Sequence, residues 1–325
     1  MRIAIADDYQ DCVRSLDCFS LLAGHDVTVF RTASRSRAEL AGRLRDADAV
    51  VVVRERIAID ADLLAALPRL RLVALVGRHS KLIDYAACTQ AGVIVTNGVE
   101  SSPIAPAELT MALILASRRN VVTEAARMKV GMWPATLSYR LAGSTLGIFG
   151  LGAIGSLVAR AGAGLGMRIL VWGGESSRGR AAEEGYEVAA SKAEFFQRAD
   201  VLSMHLRYSP RSANSVTRAD LALMKPSALF VNTARAELVE SGALEAALAA
   251  GRPGFAAVDV YEDEPVLDGN HPLLEMDNAL CLPHLGWADR ETFELYFGEA
   301  FEQVRRYASG EELRVVNKEV LGRDK

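Results

Sequence analysis

Short apolar runs alternate with longer amphipathic stretches twice along this chain of 325 residues. Almost continuous apolar runs are typical of parallel strands that are covered by helices on both faces of the sheet. The sequence therefore predicts an α/β fold with two doubly wound parallel-sheet domains. The predicted strands are 2–7, 26–30, 49–55, 71–77 and 93–98 in the first series, and 146–150, 168–173, 200–206, 228–234, 256–261 and 279–284 in the second.

Composition and charge argue against several classes of partner. Half of the residues are hydrophobic, the net charge is -4 and the pI is about 5.8, so we expect neither nucleic acid nor an anionic membrane as partner. No apolar run approaches the ~20 residues that span a bilayer, and the N-terminal MRIAIADDYQ is typical of a strand rather than a signal peptide. The cysteines lack metal-ligand spacing, so we expect reduced thiols, no metal site and a cytoplasmic protein. The four cysteines are Cys12, Cys18, Cys88 and Cys281.

The segment 101–134 separates the two series. It begins with Ser and Pro and then follows a helical pattern over most of its length, which predicts one long helix. Apolar positions cover most of the helix surface near 109–115, so the helix is expected to be buried between domains or against a second subunit. An ordinary core helix is the alternative. Burial against a second copy predicts a homodimer.

The second series opens with TLGIFGLGAIG, in which three glycines follow a strand with the spacing G-x-G-x-x-G. Gly150 permits a tight turn, Gly152 lets the backbone approach a pyrophosphate, and Gly155 allows close packing of helix on strand. The helix that begins with Ala153 and Ile154 offers free N–H groups and its positive dipole end to phosphates. This context predicts a Rossmann-like domain that binds a nicotinamide dinucleotide, against the alternative of a plain strand–helix turn.

The acidic residue that would bind the cofactor's ribose is displaced. The strand RILVWG ends at Gly173, where an acid is usual, and Glu175 lies two residues further on. Arg178 and Arg180 follow, and they either receive a 2′-phosphate or are ordinary solvated loop residues. The sequence leaves both NAD and NADP open as cofactors, with NAD preferred.

Three later motifs are LFVNTARAELVE, AAVDVYEDEP and LCLPHLGW. With the glycine motif, in this order and spacing, they resemble the D-isomer-specific 2-hydroxyacid dehydrogenases over almost the whole chain. The resemblance implies that Arg235 binds the carboxylate and carbonyl of a 2-oxo acid through its planar fork. It implies that His284 exchanges a proton with the carbonyl oxygen as hydride reaches the carbon, and that Glu264 holds His284 protonated. Taken one by one, Arg235 would indicate a surface ion pair, His284 a structural histidine and Glu264 an acidic loop.

The resemblance also implies cofactor contacts at further strand ends. Asp259 resembles the family's contact on the nicotinamide side of the cofactor. The loop that begins at His205 resembles the one that lines the cofactor cleft, with Arg207 where the family usually has Pro. Thr233 and Ala234, the last two residues of the predicted strand 228–234, complete the predicted cofactor contacts.

Substrate contacts are expected from the first series. The loop VGRHSKLID resembles the family loop whose backbone amides bind the substrate carboxylate, which places Gly77 and Arg78 there. Arg78, His79, Ser80 and Lys81 lengthen this loop. Its two cations, Arg78 and Lys81, either favour a dianionic or larger substrate or face solvent. Trp287 stands where the family has small residues, and it is expected to narrow the substrate pocket or to stack near it.

By resemblance the domains are discontinuous. Residues 1–100 plus 285–325 would form the substrate domain, residues 101–284 would form the dinucleotide-binding domain, and the active site would lie in the cleft between them. The function that follows is that of an NAD(P)-dependent oxidoreductase, which interconverts a 2-oxo acid and a D-2-hydroxy acid. The alternative is a cofactor-sensing, corepressor-like interaction protein with the same fold.

Overall fold

The structure is a computed structural model that describes residues 1–53 and 56–322. The last two residues of the predicted strand 49–55 lie outside the described residues. The last three residues of the chain, which belong to the predicted substrate domain, lie outside them too.

The chain forms two compact units. Unit 1 comprises Met1–Ser102 and Ala288–Lys325, and unit 2 comprises Pro103–Trp287. Residues 285–287 thus belong to unit 2, past the boundary expected at residue 284. This stretch stays with unit 2 because two of its backbone amides donate hydrogen bonds to a carboxylate of unit 2.

The first segment of unit 1 forms a five-stranded parallel sheet in its described residues. Its strands are β1 (Arg2–Ala6), β2 (Asp26–Val29), β3 (Ala49–Val53), β4 (Leu72–Val76) and β5 (Ile94–Thr96), and its helices are α1 (Arg37–Leu44), α2 (Ala61–Ala65) and α3 (Tyr85–Gln90), with 3-10 helices at Val13–Ser15 and Asp17–Leu22. The order β2-β1-β3-β4-β5 is that of flavodoxin-like sheets. Every residue of β3 and β4 is buried, which is why these strands read as unbroken apolar runs.

Unit 2, in which every residue is described, contains a seven-stranded parallel sheet. Its strands are β6 (Thr145–Phe149), β7 (Arg168–Trp172), β8 (Glu187–Val188), β9 (Val201–Met204), β10 (Leu229–Asn232), β11 (Phe255–Val258) and β12 (Ala279–Cys281). Its helices are α4 (Ile104–Arg118), α5 (Val121–Lys129), α6 (Ala153–Gly164), α7 (Glu175–Glu183), α8 (Lys192–Arg198), α9 (Arg218–Ala222) and α10 (Ala243–Ala249), with 3-10 helices at Ala236–Leu238 and Pro272–Glu275. The order β12-β11-β10-β9-β6-β7-β8 reverses between β6 and β9, as in a Rossmann-type sheet, so the predicted fold class is confirmed.

The chain returns to unit 1 through α11 (Arg290–Ser309), and a last 3-10 helix spans Lys318–Gly322. Asp289 caps α11 by accepting a hydrogen bond from the backbone N–H of Thr292 at 2.6 Å. The helix packs on β4 and on the 3-10 helix Asp17–Leu22. Its aromatic side chains are fully buried at Phe297 and Phe301, which completes the core of unit 1.

The prediction of one long helix over 101–134 is wrong. Two helices, α4 and α5, are separated by Asn120, whose φ of 53° is left-handed. A residue in that conformation cannot continue a right-handed helix. Leu113 and Ile114 of α4 are buried, and the helix packs on α6, β10 and β11. It is therefore a core helix of unit 2, which was the alternative that the sequence left open.

Candidate active site

The predicted cofactor residues of unit 2 follow the strands of one sheet. Because the strands are parallel, their carboxyl ends lie at the same edge, and this edge is where ligands bind in open α/β sheets. Gly150 follows β6, which is beside the point where the strand order reverses. The other predicted residues follow at the ends of the remaining strands: Gly173 after β7, His205 after β9, Thr233 and Ala234 after β10, Asp259 after β11 and His284 after β12.

The glycine loop between β6 and α6 fits a dinucleotide. Gly150 has a left-handed φ of 100°, and a Cβ there would lie 3.1 Å from the carbonyl oxygen of His205. A Cβ at Gly155 would collide with the carbonyl oxygen of Gly150. A Cβ at Gly152 would meet nothing within 4 Å, so the backbone is open to an approaching group just where α6 begins. The first turn of α6, with Ala153 and Ile154, directs free N–H groups towards that space.

Two side chains of α7 hold the glycine loop in place. The hydroxyl of Ser177 accepts a hydrogen bond from the backbone N–H of Leu151 at 3.1 Å. Arg180 donates to the carbonyl oxygen of the same residue at 2.9 Å. Arg180 is therefore occupied with the loop backbone, which favours a structural role over contact with a 2′-phosphate.

Arg178 belongs to α7, and its side chain lies against the end of β7, where the ribose would bind. Its guanidinium stacks over the ring of Trp172 at 4.6 Å, and its Nε donates to the carbonyl oxygen of Gly173 at 3.0 Å. Glu175 is the first residue of α7 and is exposed. The structure therefore places one acidic and one basic side chain beside the glycine that replaces the usual acid.

His205 is held neutral at the end of β9. Its Nε2 shares a hydrogen bond with the hydroxyl of Ser203 at 2.9 Å. Burial lowers the pKa of His205 to about 3. The ring is therefore a neutral hydrogen-bonding group and not a cation at this edge of the sheet.

Asn232 organises the turn after β10, although the sequence interpretation did not select it. Its Oδ1 accepts from the backbone N–H of Ala234 at 3.0 Å, and its Nδ2 donates to the carbonyl oxygen of Arg235 at 2.9 Å. Arg235 itself donates from Nη1 to the carbonyl oxygen of Ala234 at 2.6 Å. The hydroxyl of Thr233 is bonded to that of Thr110 on α4 at 2.7 Å. An Asn at the end of an apolar strand is a known signal for such a turn.

The structure brings His284 and Glu264 together. Nδ1 of His284 and Oε2 of Glu264 are 2.6 Å apart, and both side chains are largely buried. Because a carboxylate only accepts, Nδ1 carries the proton and Nε2 is left for another partner. Burial raises the pKa of Glu264, but the hydrogen bond and charge of His284, the backbone N–H of Tyr261 and the charge of Arg235 outweigh it, so that pKa lies below its usual value.

The backbone at His284 is held in an unusual conformation. Its φ of 52° is left-handed, which is costly for a residue with a side chain. Beyond it, the N–H groups of Leu285 and Gly286 donate to the two carboxylate oxygens of Asp259 at 2.7 and 2.8 Å. Asp259 is fully buried, and burial raises its pKa to about 6 despite these bonds. Asp259 is thus a structural anchor of the turn, in addition to its predicted place beside the cofactor.

The predicted substrate residues fall in both units. Gly77 and Arg78 follow β4 in unit 1, and Gly77 has a left-handed φ of 104°. Its carbonyl oxygen accepts from the N–H of Gly98 at 2.8 Å, and that of Arg78 accepts from the side chain of Asn97 at 2.6 Å. Trp287, the last residue of unit 2, is buried. The loop after β4 is therefore held by hydrogen bonds from residues that follow β5.

The residues that the structure describes contain neither a metal-binding cluster nor a membrane-spanning helix. Residues 1–53 and 56–322 contain no group of three or more His, Cys, Asp or Glu side chains that could hold a metal ion. Over the same residues, none of the helices has the length and apolar character that crossing a bilayer requires.

Comparisons with known proteins agree with this geometry. Residues 111–286 match the family model described as D-isomer specific 2-hydroxyacid dehydrogenase, NAD binding domain. A glyoxylate reductase of Aeropyrum pernix is 38% identical over 87% of this chain and 86% of its own length. A D-3-phosphoglycerate dehydrogenase of Methanocaldococcus jannaschii is 34% identical over 85% of this chain and 52% of its own length. A crystal structure of a phosphoglycerate oxidoreductase from Vibrio cholerae is 49% identical, covers 95% of this chain and 99% of its own, and superposes with a TM-score of 0.91.

The chain belongs to the D-isomer specific 2-hydroxyacid dehydrogenase family, a family of NAD-dependent oxidoreductases. It spans about half the length of the phosphoglycerate dehydrogenases that it matches and most of the length of the glyoxylate reductases. These relatives are named as dehydrogenases and reductases, which does not favour the corepressor-like alternative.

Proposed function

We propose that the protein catalyses the reversible reduction of a 2-oxo acid to a D-2-hydroxy acid with a nicotinamide dinucleotide. The observation that carries this proposal is the 2.6 Å bond between His284 and Glu264. It leaves Nε2 of the ring to exchange a proton with a substrate, donating it when the ring is protonated at both nitrogens, at the same sheet edge as the glycine loop and Arg235. The named relatives include a glyoxylate reductase, and glyoxylate is a small 2-oxo acid.

Each side chain has one task in this reaction. When bound, the nicotinamide supplies or accepts the hydride. Nε2 of His284 gives its proton to the carbonyl oxygen during reduction and takes it back during oxidation. Glu264 accepts the bond from Nδ1, which fixes the ring and stabilises its cationic form. Arg235 holds the substrate carboxylate through its planar fork. Nη1 of its guanidinium donates to the carbonyl oxygen of Ala234, and the other guanidinium N–H groups are proposed to bind the carboxylate.

The cofactor is proposed to lie along the edge of unit 2, with its pyrophosphate at Gly152 and the start of α6. NAD(H) is the preferred form, since Glu175 is available to the ribose hydroxyls. The tolerance for a 2′-phosphate would be set by Arg178, which is already oriented by Trp172. Gly77 and Arg78 are proposed to bind the substrate carboxylate, Arg78 with an added preference for a second anionic group.

Arg178→Gln tests whether Arg178 sets the tolerance for the 2′-phosphate of NADP(H). The change removes the cation beside Gly173, so we expect NADPH to bind about tenfold more weakly while NADH binding stays within about twofold. Direct titration of protein fluorescence with each cofactor measures both affinities without turnover. Arg207→Gln, in the loop after β9, is the matched control and should change the two affinities equally. Equal losses for NADH and NADPH in Arg178→Gln would contradict the role given to this residue.

The reaction itself is tested by nicotinamide absorbance. NADH and NADPH are each mixed with glyoxylate, hydroxypyruvate, pyruvate, 2-oxoglutarate, phenylpyruvate and 3-phosphohydroxypyruvate. Oxidation with at least one acid is expected, and formation of the D-isomer is checked by chiral chromatography. Binding of cofactor without oxidation of any of the six acids would count against the proposed reaction.

A homodimer is proposed through the surface that begins at α5. Residues 121–137 carry a run of large apolar side chains that are at least half exposed, which is unusual for a monomer. Trp133 and Leu137 are the most exposed, at 78% and 96%. A second copy of the same chain would cover this surface. The exposed members are Val121, Val122, Met128, Val130, Met132, Trp133 and Leu137.

A further inference from the structure

Tyr261 contacts both Glu264 and the segment that leads to His284, each through a different group. Its backbone N–H donates to Oε1 of Glu264 at 2.9 Å, on the carboxylate whose other oxygen faces His284. Its hydroxyl donates to the carbonyl oxygen of Leu282 at 2.9 Å. Leu282 lies two residues before His284, and only Pro283 separates them. One residue therefore connects the acid and the segment that carries the imidazole.

The phenol ring is firmly placed for this contact. Tyr261 is 6% exposed and belongs to the core of unit 2. Its ring meets that of His271 edge to face with centroids 5.0 Å apart. Burial raises the pKa of Tyr261, so the hydroxyl keeps its proton and remains a donor. Packing of the ring thus brings the hydroxyl to the carbonyl oxygen of Leu282.

The segment that receives this bond has few other restraints. β12 is the edge strand of the sheet, so one of its sides lacks a ladder partner. The N–H of Leu282 donates to the carbonyl oxygen of Val258 at 2.9 Å, which is the last bond to β11. Pro283 has no N–H to contribute. His284 then adopts its left-handed φ, which has to be imposed by bonds on either side of it.

We infer that Tyr261 is a positioning residue, whose hydroxyl holds the backbone before His284 so that the imidazole meets Glu264 in the orientation needed for proton transfer. Asp259 holds the same turn from the other side, through the amides after His284. Loss of the hydroxyl would let the turn relax and lengthen the bond from Nδ1 to Glu264. The role of Tyr261 in turnover rests on the proposed function, whereas its effect on that bond does not.

Tyr261→Phe isolates the hydroxyl, because it leaves the ring and the backbone N–H in place. The first measurement is the proton NMR signal of Nδ1–H of His284, which a short bond to a carboxylate moves far downfield. His284→Asn assigns this signal by removing it. In Tyr261→Phe we expect the signal to move upfield and to broaden. An unchanged position and width would overturn the inference, whether or not the protein turns over any substrate.

Turnover provides the second measurement once a substrate is known. Tyr261→Phe should lower kcat about tenfold, while the KM for the 2-oxo acid and the affinity for the cofactor stay within about twofold. Tyr186→Phe, which removes a phenol hydroxyl elsewhere in unit 2, should behave as wild type in both measurements. Tyr261→Leu also removes the ring, so its stability should fall further while its His284 signal changes as in Tyr261→Phe. A loss that appeared only in Tyr261→Leu would assign the effect to ring packing and overturn the role of the hydroxyl.

Discussion

At the scale of single residues, His284 and Arg235 have separable tasks in the proposed reaction. His284→Asn removes the proton donor, so kcat should fall by about 10³-fold while cofactor affinity is unchanged. Arg235→Lys keeps a positive charge but loses the planar fork, so its main effect should be a higher KM for the 2-oxo acid. Steady-state kinetics and cofactor titrations distinguish the two. Near-normal turnover in His284→Asn would show that another group donates the proton.

Asp259 carries a prediction about pH. Burial raises its pKa to about 6 in the folded chain, from an ordinary value near 3.8. Between about pH 4 and 6 the unfolded chain loses this proton while the folded chain keeps it, so the free energy of unfolding falls as pH rises. Above about pH 6 both forms are ionised and the penalty is constant, on the order of 3 kcal/mol.

Chemical unfolding of wild type and Asp259→Asn at several pH values measures this contribution. The free energy of unfolding of wild type should fall relative to that of Asp259→Asn as pH rises from about 4 to 6. Asp220 is a control of opposite sign, because its bonds to Lys192 and Thr217 outweigh burial and lower its pKa. The free energy of unfolding of wild type should rise relative to that of Asp220→Asn as pH rises through the acidic range. If the free energies of unfolding of wild type and Asp259→Asn changed with pH in the same way, the raised pKa of Asp259 would be contradicted.

At the scale of elements, the glycine loop separates packing from binding. A Cβ at Gly155 would collide with the backbone of Gly150, so Gly155→Ala should lower the free energy of unfolding by about 1–3 kcal/mol. A Cβ at Gly152 meets open space, so Gly152→Ala should fold normally and bind the dinucleotide more weakly. Thermal unfolding and cofactor titration give the two readouts. Equal destabilisation by both changes would mean that Gly152 is not the open position of the loop.

The elements also show where sequence patterns stop being informative. The buried strands β3 and β4 were predictable because both of their faces are covered and their side chains are all apolar. β8 has two residues, at the edge of its sheet, and is too short to form a pattern. The break between α4 and α5 was missed because the helical pattern continues on both sides of Asn120. Its left-handed backbone has no signal in the hydrophobic pattern.

At the scale of the whole molecule, the apolar surface around Trp133 predicts the oligomeric state. Wild type should be a dimer by light scattering after size exclusion, and Trp133→Ser should shift it towards monomer because the change removes a large apolar contact. Leu267→Ser, at an apolar residue that is 51% exposed elsewhere in unit 2, should leave the dimer intact. A monomeric wild type at micromolar concentration would contradict the proposal.

The sequence by itself determined the fold class, every strand except β8, the glycine loop and the family, because each of these is a local pattern of side chains. It also supplied the candidates Arg235, Glu264 and His284, whose roles remain predictions. Only the tertiary structure decided how Tyr261 and Asp259 hold the turn at His284. These contacts join residues that are 20 to 27 positions apart, and they exist because parallel strands end at one edge. A contact between a hydroxyl or carboxylate and a distant backbone group depends on chain topology, and no spacing of residue types encodes it.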